Sequence, residues 1–166
     1  YALEKGAQVT EAPVRVWSPA PNTLEGPFYR IELSPITGGI ISLYDKLRGK
    51  ELADASSPYH INQCLYLSDG VEHTPSHASV ALGACGPLFG QIVARAELKN
   101  TRLVSTITLY AHLDRVDITN ELHKLATSEK QELDFVFPLY VPRRQIRIEA
   151  PGAIIAPETE YRPGAG

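Results

Sequence analysis

Alternation with a period of two residues is the strongest constraint on this chain, because it suits strands that lie between a core and water. Leu103, Ser105, Ile107 and Leu109 share one face of a run whose other face is Val104, Thr106, Thr108 and Tyr110. Val116, Ile118, Asn120 and Leu122 alternate with Arg115, Asp117, Thr119 and Glu121, which places the first set on a core. Ile146, Ile148 and Ala150 read as inward against Gln145, Arg147 and Glu149. Tyr29, Ile31 and Leu33 alternate in the same way with Phe28, Arg30 and Glu32.

Helices have little room. Thirteen prolines and twelve glycines are spread so widely that few windows allow three uninterrupted turns. Residues 121–132 fit a short helix or, equally well, a strand end followed by a loop. Turn chemistry separates the alternating runs at Ser34-Pro35-Ile36-Thr37-Gly38-Gly39, Lys99-Asn100-Thr101, Ala111-His112-Leu113-Asp114 and Pro151-Gly152. In the first of these, Gly39 is the residue expected to take a positive φ. Segments 1–24 and 68–80 read as connections, the one rich in proline and the other polar and aperiodic. The expected fold is all-β, an antiparallel β-sandwich.

Charge narrows the partners. Sixteen Lys and Arg stand against nineteen Asp and Glu, a formal net charge of −3 with no basic stripe, so nucleic acid is a poor partner. No apolar run approaches the roughly 20 residues that span a bilayer, which argues against a membrane helix. Cys64 and Cys85 both fall in apolar stretches and read as buried thiols rather than a disulfide framework.

Constellations able to carry chemistry are few. His73 and His77, with Glu72, have the spacing of a metal-gripping pair on a helix, but Thr74-Pro75-Ser76 between them opposes a helix. Asp114 with Asp117, and Glu158 with Glu160, are carboxylates of the kind glycoside hydrolysis requires; strand alternation already accounts for Asp117 as a water-facing residue. Trp17, Tyr29, Tyr44, Tyr59, Tyr66 and Tyr161 are rings that can stack on sugars. Tyr29 and Tyr44 lie in expected strands, whereas Trp17 and Tyr161 fall in expected loops. No nucleophile elbow, phosphate loop or dinucleotide turn occurs.

Several stretches resemble one family in order. Leu24-Glu25-Gly26-Pro27-Phe28-Tyr29-Arg30-Ile31-Glu32-Leu33, then Thr37-Gly38-Gly39-Ile40-Ile41-Ser42-Leu43-Tyr44-Asp45-Lys46, look like the opening of the C-terminal β region of family 38 α-mannosidases. Asn62 to Asp69, Gly86-Pro87-Leu88, Leu113 to Ile118, Asn120-Glu121 and Phe135-x-Phe137-Pro138 continue the pattern, and Pro151-Gly152 and Glu160 to Gly164 resemble its later landmarks. Gly26 stands where the family has Asn, and residues 70–79 replace an acidic, Trp-containing stretch.

The resemblance implies a supersandwich of the galactose-mutarotase type. It also implies a parent that is a retaining glycosidase acting on a mannoside-type glycan, its zinc and aspartate nucleophile carried by a preceding α/β barrel absent from this chain. The β region would pack on that catalytic domain and help complete the sugar pocket. On this view residues 1–23 are a linker or leading strand from the missing upstream domain, and residues 24–166 are a sandwich that continues past its C-terminal end. No catalytic residue, metal site or cofactor is expected in the chain itself. Glu160, Tyr161 and Arg162 are the candidate substrate-binding residues. A stand-alone carbohydrate-binding or structural module is the alternative. A free sugar mutarotase, working through His112 or His123, ranks below both.

Overall fold

A computed structural model describes residues 15–142, 146–150, 153–156 and 159. The strands are β1 (Trp17–Ala20), β2 (Thr23–Glu25), β3 (Tyr29–Leu33), β4 (Ile40–Asp45), β5 (Lys50–Glu51), β6 (Gln63–Ser68), β7 (Val71–His73), β8 (Ala78–Cys85), β9 (Phe89–Leu98), β10 (Thr101–Tyr110), β11 (Val116–Lys124), β12 (Gln131–Val136), β13 (Ile148–Ala150) and β14 (Ala153–Ile155). All pairings between them are antiparallel. No helix is long and apolar enough to cross a membrane.

Two layers face each other. One is the sheet β11-β10-β9-β8. The other joins the sheet β1-β2-β3-β4-β5 to the sheet β12-β6-β7 through the bridges Ile40↔Ile61 and Ala53↔Leu139. Between the layers, Leu24, Ile31, Leu33 and Ile40 from one side meet Ile92, Ala94, Ile107 and Leu109 from the other, all buried. Further along β9 and β10, Leu98 and Leu103 meet Cys64 and Tyr66, with Leu133 and Phe135 beside them. The alternation in β10 therefore reads out as expected: Leu103, Ser105, Ile107 and Leu109 are the buried set. The protein is an all-β antiparallel sandwich.

The Thr37-Gly38-Gly39 turn works differently from its sequence reading. The positive φ, +73°, falls at Gly38 and not at Gly39. Gly39 is needed for space: a Cβ there would sit 2.8 Å from His60 Cβ and 3.2 Å from the Ile61 carbonyl oxygen. That close approach lets Ile40 and Ile61 exchange backbone hydrogen bonds of 2.8 and 3.1 Å and ties the two parts of the layer together.

Other expectations are corrected. Of the segment 1–24 read as a connection, residues 1–14 lie outside the described residues, and 16–24 belong to the sandwich, because Val16 and Leu24 are core residues and β1 and β2 extend the sheet. Residues 68–80 contain β7 and the start of β8. Asp69 and Gly70 have φ of +52° and +75°, as a type I′ hairpin requires, so Asp-Gly was the signal to read there. Residues 116–124 form one strand that ends at Lys124, which removes the helical option. Leu122, expected inside, is 40% exposed at the outer strand of its sheet. Ile148 lies in the β13–β14 ribbon and is exposed, as is Ile146; among the described residues no layer packs over them. Cys64 is buried, and burial, with a smaller push from Asp134, raises its thiol to about 11. Cys85 is exposed, because β8 is an outer strand.

Candidate functional site

The β4–β5 turn builds a polar corner. Asp45 ends β4 almost fully buried; it accepts a hydrogen bond from the Arg48 backbone N–H at 2.9 Å and from Arg48 Nη1 at 2.6 Å. That guanidinium holds the Asp45 carboxyl below its ordinary value. The same Nη1 lies 3.7 Å from Asp114 in the β10–β11 loop. The Asp114 carboxylate beside the Tyr29 hydroxyl, together with burial, pushes that phenol up to about 12. Asp114, from the β10–β11 loop, thus lies beside Arg48 and Tyr29 of the other layer.

Arg48 also walls a cleft of about 750 Å³, which continues past Lys50, Glu51 and Asp54 to Tyr140 and Pro142. Tyr140 is held there by its N–H, which donates to the Leu52 carbonyl at 2.8 Å, while the residue as a whole stays 59% exposed. Glu51 receives the Ser42 hydroxyl at 2.6 Å and the N–H groups of Leu43 and Ala53 at 2.8 and 3.0 Å. Burial works to raise its pKa, but these donors outweigh it and hold the carboxyl below the usual value. An ionised carboxylate, two cations and an exposed phenol ring make a wall suited to hydroxyl groups and to stacking on a sugar face. Both Glu51 oxygens are thus already engaged, Oε2 by the Ser42 hydroxyl and Oε1 by the Leu43 and Ala53 N–H groups.

The residues singled out from the sequence fall as follows. Glu160, Tyr161 and Arg162, and also Glu158, lie outside the described residues. Asp117 pairs with Arg115 and accepts the Tyr110 hydroxyl at 2.6 Å, so it is engaged within its own sheet and stands apart from the cleft. Glu72 accepts the Tyr59 hydroxyl at 3.0 Å, and His73 sits edge-on to Tyr66 with ring centroids 6.1 Å apart. Among the described residues, no group of three or more His, Cys, Asp and Glu converges to hold a metal. His112 and His123 are both exposed, on a loop and on β11.

Trp17 belongs to β1 and not to a loop, with Lys46 Nζ 5.5 Å from its ring centroid. Tyr44 is exposed at 39%, whereas Tyr66 is fully buried. Sequence reading did not single out the cleft. Arg48 and Glu51 belong to the β4–β5 hairpin, and Tyr140 lies some ninety residues further on. The bridge Ala53↔Leu139, with the flanking bonds Tyr140 N–H to the Leu52 carbonyl (2.8 Å) and Asp54 N–H to the Pro138 carbonyl (3.0 Å), brings them together.

The described residues form a two-layer antiparallel sandwich with an open polar cleft. The family model for the glycosyl hydrolases family 38 C-terminal domain matches residues 24–164, and the chain belongs to that family. No curated protein matches the chain at a significant level.

Proposed function

We propose that this chain is the non-catalytic β-sandwich part of an α-mannosidase-like glycoside hydrolase. In this reading it packs on a zinc-dependent catalytic barrel that the chain does not contain, and it helps to shape the sugar pocket for a mannoside-type glycan. Residues preceding the sandwich lead in from that upstream domain. The observation that carries the reading is the family match across residues 24–164. Two features support it. Phe137, Leu139, Val141, Ile146, Ile148 and Ile154 are all large, apolar and between 47% and 68% exposed, a concentration of uncovered apolar side chains in one stretch of sequence that another domain could cover. The cleft at Arg48, Glu51 and Tyr140 offers the mixed polar and aromatic wall that sugars select.

The test is hydrolysis of an aryl α-mannoside with added zinc, comparing this chain with a longer polypeptide that includes the upstream domain. Activity confined to the longer polypeptide is the expected result. Turnover by this chain alone would overturn the reading. The exposed Tyr140 ring also favours a second reading, a module that binds carbohydrate by itself. That reading requires calorimetric affinity of the isolated chain for mannosides, abolished by Tyr140→Ala.

A further inference from the structure

The sheet β11-β10-β9-β8 has two outer strands of opposite chemistry. β11 carries Asp117, Glu121, His123 and Lys124, which discourage any added strand. β8 reads Ala78-Ser79-Val80-Ala81-Leu82-Gly83-Ala84-Cys85, with neither charge nor proline. Its backbone polarity is legible from one bond. Ala78 opposes Ala96 of β9, yet its N–H donates away from the ladder to the Pro35 carbonyl at 2.9 Å. Ala78↔Ala96 is therefore a non-hydrogen-bonded pair, and alternation turns the N–H and C=O groups of Val80 and Leu82 towards the open edge. Among the described residues nothing pairs with them. Leu82 points to the core face opposite the fully buried Ile92, but is itself 48% exposed.

We propose that this edge joins a second copy of the chain through an antiparallel β8–β8 pair centred on Ala81. A two-fold axis normal to the sheet keeps inner faces inward, so only residues of like face can oppose each other. Centring on Ala81 sets Val80 against Leu82 of the copy, and these two exchange both open hydrogen bonds. It sets Ala81 against its own copy and Ser79 against Gly83, all small. Centring on Val80 would demand the Ala78 N–H, already given to Pro35. Centring on Leu82 would run Val80 against Ala84, beyond the irregularity between Leu82 and Cys85. Because the strand is uncharged, its own copy meets it without like-charge repulsion. The pair extends the sheet across both molecules and covers the Leu82 side chain with Val80 of the copy.

Sedimentation equilibrium over a concentration series tests this. The expected result is a monomer–dimer equilibrium, with Ala81→Lys weakening association roughly tenfold or more, since two ammonium groups would then face each other across the pair. A second measurement does not depend on that variant folding. In a Cys85→Ser background, Ala81→Cys places two sulfurs on directly opposed residues, whose Cβ atoms lie about 4.5–5.5 Å apart in such pairs. Oxidation should give a covalent dimer, and Thr119→Cys on β11 should not. A wild-type chain monomeric at all concentrations would overturn the proposal, as would a dimer indifferent to Ala81→Lys or one that fails to cross-link. A longer monomeric polypeptide whose Val80 and Leu82 amides resist hydrogen exchange, while those of this chain do not, would also overturn it. The edge would then belong to another segment of the same polypeptide.

Discussion

The two ends of the interlayer core solve the same packing problem with different completeness. Around Ile31 and Ile107, aliphatic side chains from both layers are buried and the polar groups beside them are satisfied. Asn62 and Asn120 exchange amide hydrogen bonds of 3.0 and 2.8 Å, and Ser105 donates to Asn120 at 2.7 Å, which latches one layer to the other. Around Tyr66 and Leu103, the Tyr66 hydroxyl and both ends of the Gln131 side-chain amide are buried without a protein partner. That end is closed by Lys99, which reaches Ser68 at 2.9 Å and Glu129 at 3.0 Å. The first end derives its order from complementary shape and a satisfied polar latch. The second retains unmet hydrogen-bonding capacity under an exposed ion pair, so substitutions there should be felt less.

The largest expected effect is at the well-packed end. Ile107→Ala should lower unfolding free energy by about 3–4 kcal/mol, against about 2 for Leu103→Ala at the other end. Urea denaturation measures both, and equal losses would break the comparison. Gly39→Ala should cost about 2 kcal/mol, because its Cβ meets His60 and the Ile61 carbonyl with no room to retreat. Asn62→Ala should cost about 1–3 kcal/mol by stranding Asn120, whereas Tyr66→Phe should be neutral or stabilise by up to about 1 kcal/mol. A loss of stability in Tyr66→Phe would show that the hydroxyl has a partner such as an internal water.

Acid should act on the ordered end in two stages. His60 lies with Nδ1 2.8 Å from the Thr37 hydroxyl, and burial holds its pKa below 6.5. Its contribution is complete above pH 6.5 and is lost as pH falls through the folded-state value. Asp45, held below 3.8 chiefly by the Arg48 hydrogen bond, keeps its contribution above that pH and loses it on further acidification. Thermal melts across pH should show both steps, with His60→Asn removing the first and Asp45→Asn the second. The smallest effect is expected at the open end. Glu129→Gln should lower Tm slightly, and the difference should vanish in about 1 M salt, because exposed ion pairs are screened.

Much of this sandwich was legible in residue order. The alternations of β3 and β10, the breaks at 34–39, 99–101 and 111–114, and the ordered elements from Leu24 to Pro138 all report local requirements. A strand between core and water needs period two, and a tight turn needs glycine or a short polar residue. The Asp69-Gly70 hairpin was equally local but was masked by the polar residues around it. Leu122 and Ile148 were misplaced for another reason: their pattern is that of a buried face, and nothing in the pattern says whether a second layer lies over it.

Sequence alone determined the class of fold, the strand directions and the family, because those follow from periodicity and from motifs read along one chain. Tertiary structure decided which glycine takes the positive φ and which is crowded, and it set Asp114 beside Tyr29 and Arg48. It also brought Arg48, Glu51 and Tyr140 to one cleft and left the β8 edge open. Each of these depends on segments distant in the chain meeting in space, and the free energy of such contacts is written in neither segment by itself.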